Sequence, residues 1–212
     1  CRGGRLYAAH THTNLLLEID AATAEVLRTI PLPEPRGLAT GPDGNLWAVS
    51  GGRIGIVGLD DDSFTPVVTV PNPVRSIAFG PDGRLFAGDM ETCQVRVFER
   101  DGKAWRETRV IGKGPRGMGK YDPDEMSSTY GLTVDGSGTL WVAEAGFHPK
   151  RVSLWNTADG RLRRELVGPP LYGGGGSFDP RDASRFVYNG VEFSVDWETG
   201  DWRPLNILQR VP

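Results

Sequence analysis

Residues 80–86 read GPDGRLF, and nearly the same stretch, GPDGNLW, stands at residues 41–47. A looser relative, DGSGTLW, stands at residues 135–141. In such a turn Pro presets φ, Asp hydrogen-bonds to its own backbone, and Gly adopts the left-handed conformation that closes a hairpin. Each stretch therefore predicts a tight turn that leads directly into a strand beginning with leucine and an aromatic residue.

The leucines after these turns show that the chain is a repeat protein. Leu46 and Leu85 lie 39 residues apart, and Leu6 lies 40 residues before Leu46. The longer step to Leu140 returns to this period once an inserted connection at residues 112–130 is removed. A period near 40 built of short strands is typical of a β-propeller blade. We therefore predict an all-β fold of about five visible four-stranded blades, with these four leucines in equivalent buried positions.

The ends of the repeat array leave the closure of the ring open. Residues 5–10 read as the second strand of a blade with no innermost strand before it, whereas the last unit supplies a full set. We expect residues 1–212 to form a single propeller domain that is incomplete at its N-terminal blade. Either the chain is part of a six- or seven-bladed ring, or it closes in an unusual way, because an unpaired sheet edge invites aggregation.

Composition and charge exclude several classes of partner. A formal net charge of −3 with scattered basic residues argues against nucleic acid, and no apolar run is long enough to span a membrane. The chain begins with Cys1, which fits a lipid-anchored bacterial protein as well as simple trimming, so a secreted or periplasmic location is favoured. Cys1 and Cys93 are expected at opposite ends of the domain and hence unbridged.

The fourth unit carries the residues of a family resemblance. Residues 131–152, GLTVDGSGTLWVAEAGFHPKRV, look like an NHL repeat, and residues 76–98 and 37–56 resemble it more weakly. The same pattern also fits the related gluconolactonase-like and streptogramin-lyase-like propellers. The resemblance implies a propeller scaffold and carries little information about a ligand.

One repeat position, four residues after the leucine, collects polar side chains. It holds His10, Ser50, Asp89 and Glu144, with Asn189 nearby in the last unit. Oxygen ligands suit calcium and imidazole suits zinc, so His10, Asp89, Glu144 and Asn189 are candidate ligands of a divalent cation. The alternative is that the acidic residues cap the turns that follow them.

A second set of candidates precedes the innermost strands. Arg36, Arg75 and Tyr130 are expected at the same end of the channel, and His148 lies on an equivalent connection. Arginine at this mouth can hold a carboxylate or phosphate, or it can pair with Asp89 or Glu144. The insertion at 112–130 is expected to lie over the mouth as a lid or as a disordered connection.

Two functions remain open from the sequence. The first is a binding scaffold that presents one channel mouth to a small molecule, a glycan or a protein. The second is a metal-dependent lactonase or lyase, in which a central cation polarises a carbonyl while Asp, Glu or His moves a proton.

Overall fold

A computed structural model describes residues 3–145, 149–168 and 175–208. The described residues form strands and one short 3₁₀ turn, Thr11–Thr13. The strands are β1 Arg5–His10, β2 Leu15–Asp20, β3 Val26–Pro31, β4 Leu38–Thr40, β5 Leu46–Ser50, β6 Arg53–Gly58, β7 Ser63–Val68, β8 Val74–Phe79, β9 Leu85–Asp89, β10 Gln94–Asp101, β11 Ala104–Ile111, β12 Gly119–Lys120, β13 Thr129–Val134, β14 Thr139–Glu144, β15 Lys150–Asn156, β16 Leu162–Gly168, β17 Ser177–Asp179, β18 Asp182–Tyr188, β19 Val191–Val195 and β20 Trp202–Ile207.

These strands form antiparallel sheets in chain order, which we number 1 to 5. Sheet 1 contains β1 to β3, sheet 2 contains β4 to β7, sheet 3 contains β8 to β11, and sheet 4 contains β13 to β16. Sheet 5 contains β17 to β20 and gains β12 at its outer edge. The predicted all-β, propeller-like fold is confirmed. That residues 1–212 are one domain with an incomplete first blade stays a prediction.

The turns at residues 41–45 and 80–84 close hairpins, as their composition predicts. In the first, the backbone N–H of Asn45 donates to Asp43 Oδ1 at 3.0 Å, and Gly44 has φ of 76°. The second repeats this with Arg84 donating to Asp82 at 3.1 Å. Each turn joins the innermost strand of a sheet to its second strand, so it fixes which side chains of the second strand face each neighbouring sheet.

Successive sheets pack face to face through their second strands. Leu46 belongs to the apolar cluster shared with sheet 1, whereas Trp47 belongs to the cluster shared with sheet 3. In sheet 3, Leu85 faces sheet 2 and Phe86 joins the cluster shared with sheet 4. Sheets 2 and 3 thus each have a leucine face toward the preceding sheet and an aromatic face toward the next one.

The leucine prediction holds for three units and fails for the first. Leu46, Leu85 and Leu140 are buried, but Leu6 is 42% exposed. Leu6 lies on the leucine face of sheet 1, and the apolar clusters of the described residues join sheet 1 to sheet 2 alone, through the opposite face. The prediction for Leu6 was wrong because no sheet of the described residues packs on this face.

The insertion is anchored along its length. Met126 is fully buried, and Tyr121 joins the apolar cluster of sheet 5. Gly119 pairs with Ile207, so the insertion supplies the outer strand of sheet 5. These contacts replace the expected disordered connection or lid with a segment that ties sheet 5 to the chain between sheets 3 and 4.

Two sequence-based expectations fall partly outside the described residues. Cys93 carries a free thiol, while Cys1 lies outside the described residues. His148 also lies outside them. Among the residues that are described, no helix has the length and apolar character needed to cross a membrane.

Candidate functional site

Asp89 ends the second strand of sheet 3 with a fully buried carboxylate. Its Oδ1 accepts the backbone N–H groups of Glu91 and Thr92 at 2.9 and 3.0 Å. Its Oδ2 accepts Asn72 Nδ2 at 2.9 Å and Arg96 Nε at 2.7 Å. Two donors on each oxygen fill the positions at which a carboxylate would otherwise bind a cation.

The electrostatics of Asp89 follow from these contacts. Burial alone would raise the pKa of this carboxyl, because a charge is poorly solvated inside the protein. Hydrogen bonds from the Thr92 backbone, Asn72 and Arg96 outweigh burial and hold the pKa of Asp89 below its usual value. The group is therefore a charged turn cap that also pairs with an arginine.

Glu144 ends the second strand of sheet 4 in the equivalent position, and its side chain is also inaccessible to solvent. Its Oε1 accepts Arg151 Nε at 2.6 Å and Ser153 Oγ at 2.7 Å. Its Oε2 accepts the backbone N–H of Ser127 at 2.9 Å and Arg116 Nη2 at 3.3 Å. Arg116 and Ser127 belong to the insertion, so Glu144 holds that segment onto sheet 4.

Arg151 completes this network from the next strand. Its Nη1 donates to the Pro123 carbonyl at 2.7 Å and to Glu165 at 2.8 Å, and its Nη2 donates to the Glu125 carbonyl at 2.6 Å. Burial lowers the pKa of Arg151, but the charges of Glu144 and Tyr121 and the hydrogen bonds to Glu144 and Glu165 together outweigh it, so the pKa is raised. Sequence reasoning missed Arg116 and Arg151, because neither occupies a repeat position that signals a partner for Glu144.

The remaining candidate metal ligands also make local contacts. His10 is exposed, and its Nδ1 lies 2.7 Å from Thr13 Oγ1. Asn189 has φ of 44° in the two-residue turn between β18 and β19, where Asn tolerates the left-handed region. Ser50, at the same repeat position, donates to the Pro33 carbonyl at 2.7 Å.

These residues do not fit a metal ion. Within residues 3–145, 149–168 and 175–208, no three His, Cys, Asp or Glu side chains are grouped to hold one. The oxygens of Asp89 and Glu144 are already occupied by donors. The contacts favour the turn-capping alternative for Asp89. Glu144 instead accepts from the insertion and from β15.

Arg36, Arg75 and Tyr130 form what we call the arginine–tyrosine row, at the start of neighbouring innermost strands. The Arg75 guanidinium lies 3.8 Å from the centre of the Tyr130 ring. The backbone N–H of Gly37 donates to the Arg75 carbonyl at 2.9 Å, which places Arg36 beside the same strand. The two arginines are partly buried and Tyr130 is 45% exposed, so the row faces solvent.

The row lies at the same end of the sheets as the capped carboxylates. Val74 pairs with Asp89, and Thr129 pairs with Glu144, so Arg75 and Tyr130 each follow a residue that lies opposite a carboxylate. Even so, neither Arg36 nor Arg75 contacts a carboxylate of any described residue. The expected alternative, pairing of these arginines with Asp89 or Glu144, is absent from the described part of the chain.

A buried hydroxyl beside the row also has no hydrogen-bond partner. Ser76 Oγ, next to Arg75 in β8, is buried and makes no hydrogen bond in the described structure. A Cβ added to Gly88 would lie 2.9 Å from this oxygen and 2.8 Å from Thr129 Oγ1. The two hydroxyls therefore both lie over Gly88, where sheets 3 and 4 approach each other.

The described sheets define a β-propeller-like protein, and solved structures resemble it in fold. Virginiamycin B lyase from Staphylococcus aureus aligns with 99% of this chain and 68% of its own, at a TM-score of 0.56 and 17% identity. The gluconolactonase XC5397 from Xanthomonas campestris aligns with 95% of this chain and 68% of its own, at a TM-score of 0.59 and 17% identity. A chain of a nidogen–laminin complex aligns with 96% of this chain and 89% of its own, at a TM-score of 0.57 and 15% identity.

Sequence comparison adds one relative. WD repeat-containing protein SL1-17 from Schistosoma mansoni is 34% identical over 104 residues, which are 47% of this chain and 35% of that protein. This chain thus spans about a third of the length of that relative. No family profile matches the chain. The resemblance to gluconolactonase-like and streptogramin-lyase-like propellers is confirmed for the fold, whereas the NHL repeat stays a prediction.

Proposed function

We propose that this chain is a recognition module that binds an anionic group, a carboxylate or phosphate, at the arginine–tyrosine row. The group belongs to a small molecule, a glycan or a protein. The observation that carries the proposal is the Arg75 guanidinium stacked 3.8 Å from the Tyr130 ring centre with no carboxylate partner among the described residues. Lactonase, lyase and nidogen chains share the fold, so the fold alone does not choose a function.

Stacking on Tyr130 supports an anion site for a geometric reason. The aromatic face holds the plane of the guanidinium and leaves the N–H donors at its edge unused. A carboxylate or phosphate can then accept two parallel hydrogen bonds from Arg75. Arg36 adds a second positive charge from the neighbouring strand.

The other arginines of the molecule make the contrast clear. Arg28, Arg96 and Arg151 each hold a carboxylate within 3 Å. Their donors therefore serve the fold. The sheets bring Arg36 and Arg75 side by side, partly buried and without a carboxylate among the described residues. An anion from outside the chain can therefore bind between them.

The metal-dependent lactonase or lyase alternative has less support in the site. It needs carboxylate oxygens that are open to a cation, and those of Asp89 and Glu144 each accept two or more hydrogen bonds. A lyase and a gluconolactonase share this fold, so the fold itself does not argue against the alternative, because propellers host both kinds of function.

The test follows the arginine Nε–Hε resonances of the protein by NMR during separate titrations with inorganic phosphate and succinate. We expect the signals of Arg36 and Arg75 to shift in a saturable way with at least one probe. Arg75→Gln should weaken that binding by about tenfold or more, since a charge-assisted pair of hydrogen bonds is lost.

Arg106→Gln is the matched control, because Arg106 is 72% exposed and pairs with Asp101 on an outer strand. This variant should bind the probes as the parent protein does. If Arg106→Gln loses as much binding as Arg75→Gln, the effect is general surface charge and the proposal fails. The proposal also fails if neither probe moves the two signals.

A further inference from the structure

The stack of sheets has a direction, because each interface pairs two different faces. Across the interface of sheets 2 and 3, the aromatic face with Trp47 meets the leucine face with Leu85. Across the interface of sheets 3 and 4, the aromatic face with Phe86 meets the leucine face with Leu140. Sheet 1 follows the same rule, because Tyr7 packs into the cluster that contains Leu46.

Two apolar faces of this stack are left uncovered by the described residues. The first is the leucine face of sheet 1, which we call the leading face. Register places these side chains on it: Leu6, Ala8, Leu17, Ile19 and Val26. Leu6 is 42% and Val26 55% exposed. Leu6, Ile19 and Val26 lie opposite one another on three neighbouring strands, so they form one apolar stripe rather than scattered surface positions.

The second is the aromatic face of sheet 4, which we call the trailing face. Register places these side chains on it: Trp141, Ala143, Val152, Leu154 and Leu166. Leu166 is 42% exposed. Ala143 is also exposed, whereas Val49 and Gly88, which occupy its repeat position in sheets 2 and 3, are buried. A cavity of about 390 Å³ opens on this face beside Ala143, Val152 and Leu166.

Sheet 5 does not cover the trailing face. Its apolar cluster reaches the rest of the protein through Tyr121 and Val167. Val167 pairs with Arg151, and Arg151 pairs with Glu144, so Val167 lies on the opposite face of sheet 4. Among the described residues, the trailing face therefore keeps Ala143 and Leu166 exposed, with Trp141, Val152 and Leu154 half-buried beside them.

From these faces we infer that the chain associates head to tail with a second copy, the leading face of one copy packing on the trailing face of the other. Such a contact repeats the aromatic-on-leucine pairing of the three interfaces within the molecule. It joins two different surfaces, so an open dimer or chain of copies still has one free leading face at one end and one free trailing face at the other. Association therefore continues with concentration unless the ring closes.

The experiment measures molar mass by sedimentation velocity for the full chain over a roughly thousandfold range of concentration. The mean mass should rise above that of one chain. Leu6→Glu blocks the leading face and Leu166→Glu blocks the trailing face, and both residues are 42% exposed, so the fold should tolerate a charge at either position. Each variant alone should remain monomeric.

An equal mixture of the two blocked variants separates this arrangement from others. Each variant retains one intact and complementary face, so the mixture should form a dimer and stop there. Met118→Glu is the control, because Met118 is 59% exposed and lies on neither face. It should associate as the parent chain does, and near-ultraviolet circular dichroism checks the fold of every variant.

Three outcomes overturn the inference. A parent chain that stays monomeric throughout the range means that the leading and trailing faces do not bind each other. A folded blocked variant that still associates on its own means that like faces pair. Equal weakening by Met118→Glu means that the association does not use these faces.

Discussion

Two sets of charged groups lie at the same end of the sheets, and they differ in what surrounds them. Asp89 and Glu144 are buried, and every carboxylate oxygen has at least two donors. Arg36 and Arg75 lie a strand away, partly open to solvent and without a carboxylate among the described residues. A position in the repeat therefore does not by itself identify a binding group. What decides is whether neighbouring residues already hydrogen-bond to that group.

The largest effect should come from removing the charge of Glu144. Glu144→Gln leaves Arg151, which is fully buried, facing a neutral amide, and breaking one partner of a buried ion pair destabilises proteins by about 3–5 kcal/mol. Urea unfolding followed by circular dichroism measures this change.

The control for that experiment is Glu107→Gln. Glu107 pairs with Arg96 at 2.9 Å but is 34% exposed, so its loss should change the free energy of unfolding by less than about 1 kcal/mol. Equal destabilisation by both substitutions would contradict a special role for the buried network.

A smaller effect is expected at Asp89. Asp89→Asn keeps one carbonyl oxygen for the turn N–H groups but loses the charge opposite Arg96, so it should destabilise by about 1.5–3 kcal/mol. The same urea unfolding assay applies. A change within experimental error would mean that Arg96 finds a substitute partner.

The pH dependence of stability sharpens the contrast further. The pKa of Asp89 in the folded protein lies below its usual 3.8. Its contribution to stability is therefore fully present above about pH 4 and is lost as the pH falls through the folded-state pKa. Asp89→Asn should lose less stability than the parent chain between pH 5 and pH 2, measured by thermal unfolding at matched ionic strength. Parallel curves would show that other carboxyl groups carry this loss.

The smallest effect on stability is expected in the row itself. Arg36→Gln and Arg75→Gln remove groups that hold no carboxylate of the described residues, so each should change the free energy of unfolding by about 0.5 kcal/mol or less in the absence of ligand. Thermal unfolding in buffer without phosphate or carboxylate tests this. A loss of several kcal/mol in either variant would assign these arginines to the fold.

The fold was predictable because the repeat carries its own turn chemistry. The turns around Asp43 and Asp82 fix strand starts, and the period fixes how many sheets follow. The buried state of Leu46, Leu85 and Leu140 follows from the same period. Leu6 was mispredicted because sequence equivalence says nothing about whether a neighbouring sheet is present.

The site was less predictable for a different reason. The sequence locates Asp89, Glu144, Arg36 and Arg75 at one end, but it does not indicate which of them are neutralised. That depends on Arg116, which reaches Glu144 from a connection outside the repeat. Long-range pairing of this kind has no signal in spacing or composition.

The pairing of β12 with β20 also bears on how the chain folds. Sheet 5 acquires its outer strand only when Gly119 pairs with Ile207, which comes much later in the chain. Contacts between residues so distant in sequence close large loops and form slowly. Sheets 2 and 3, whose hairpins are local, should acquire protection from hydrogen exchange first, and the edge at Gly119 should be the last to do so.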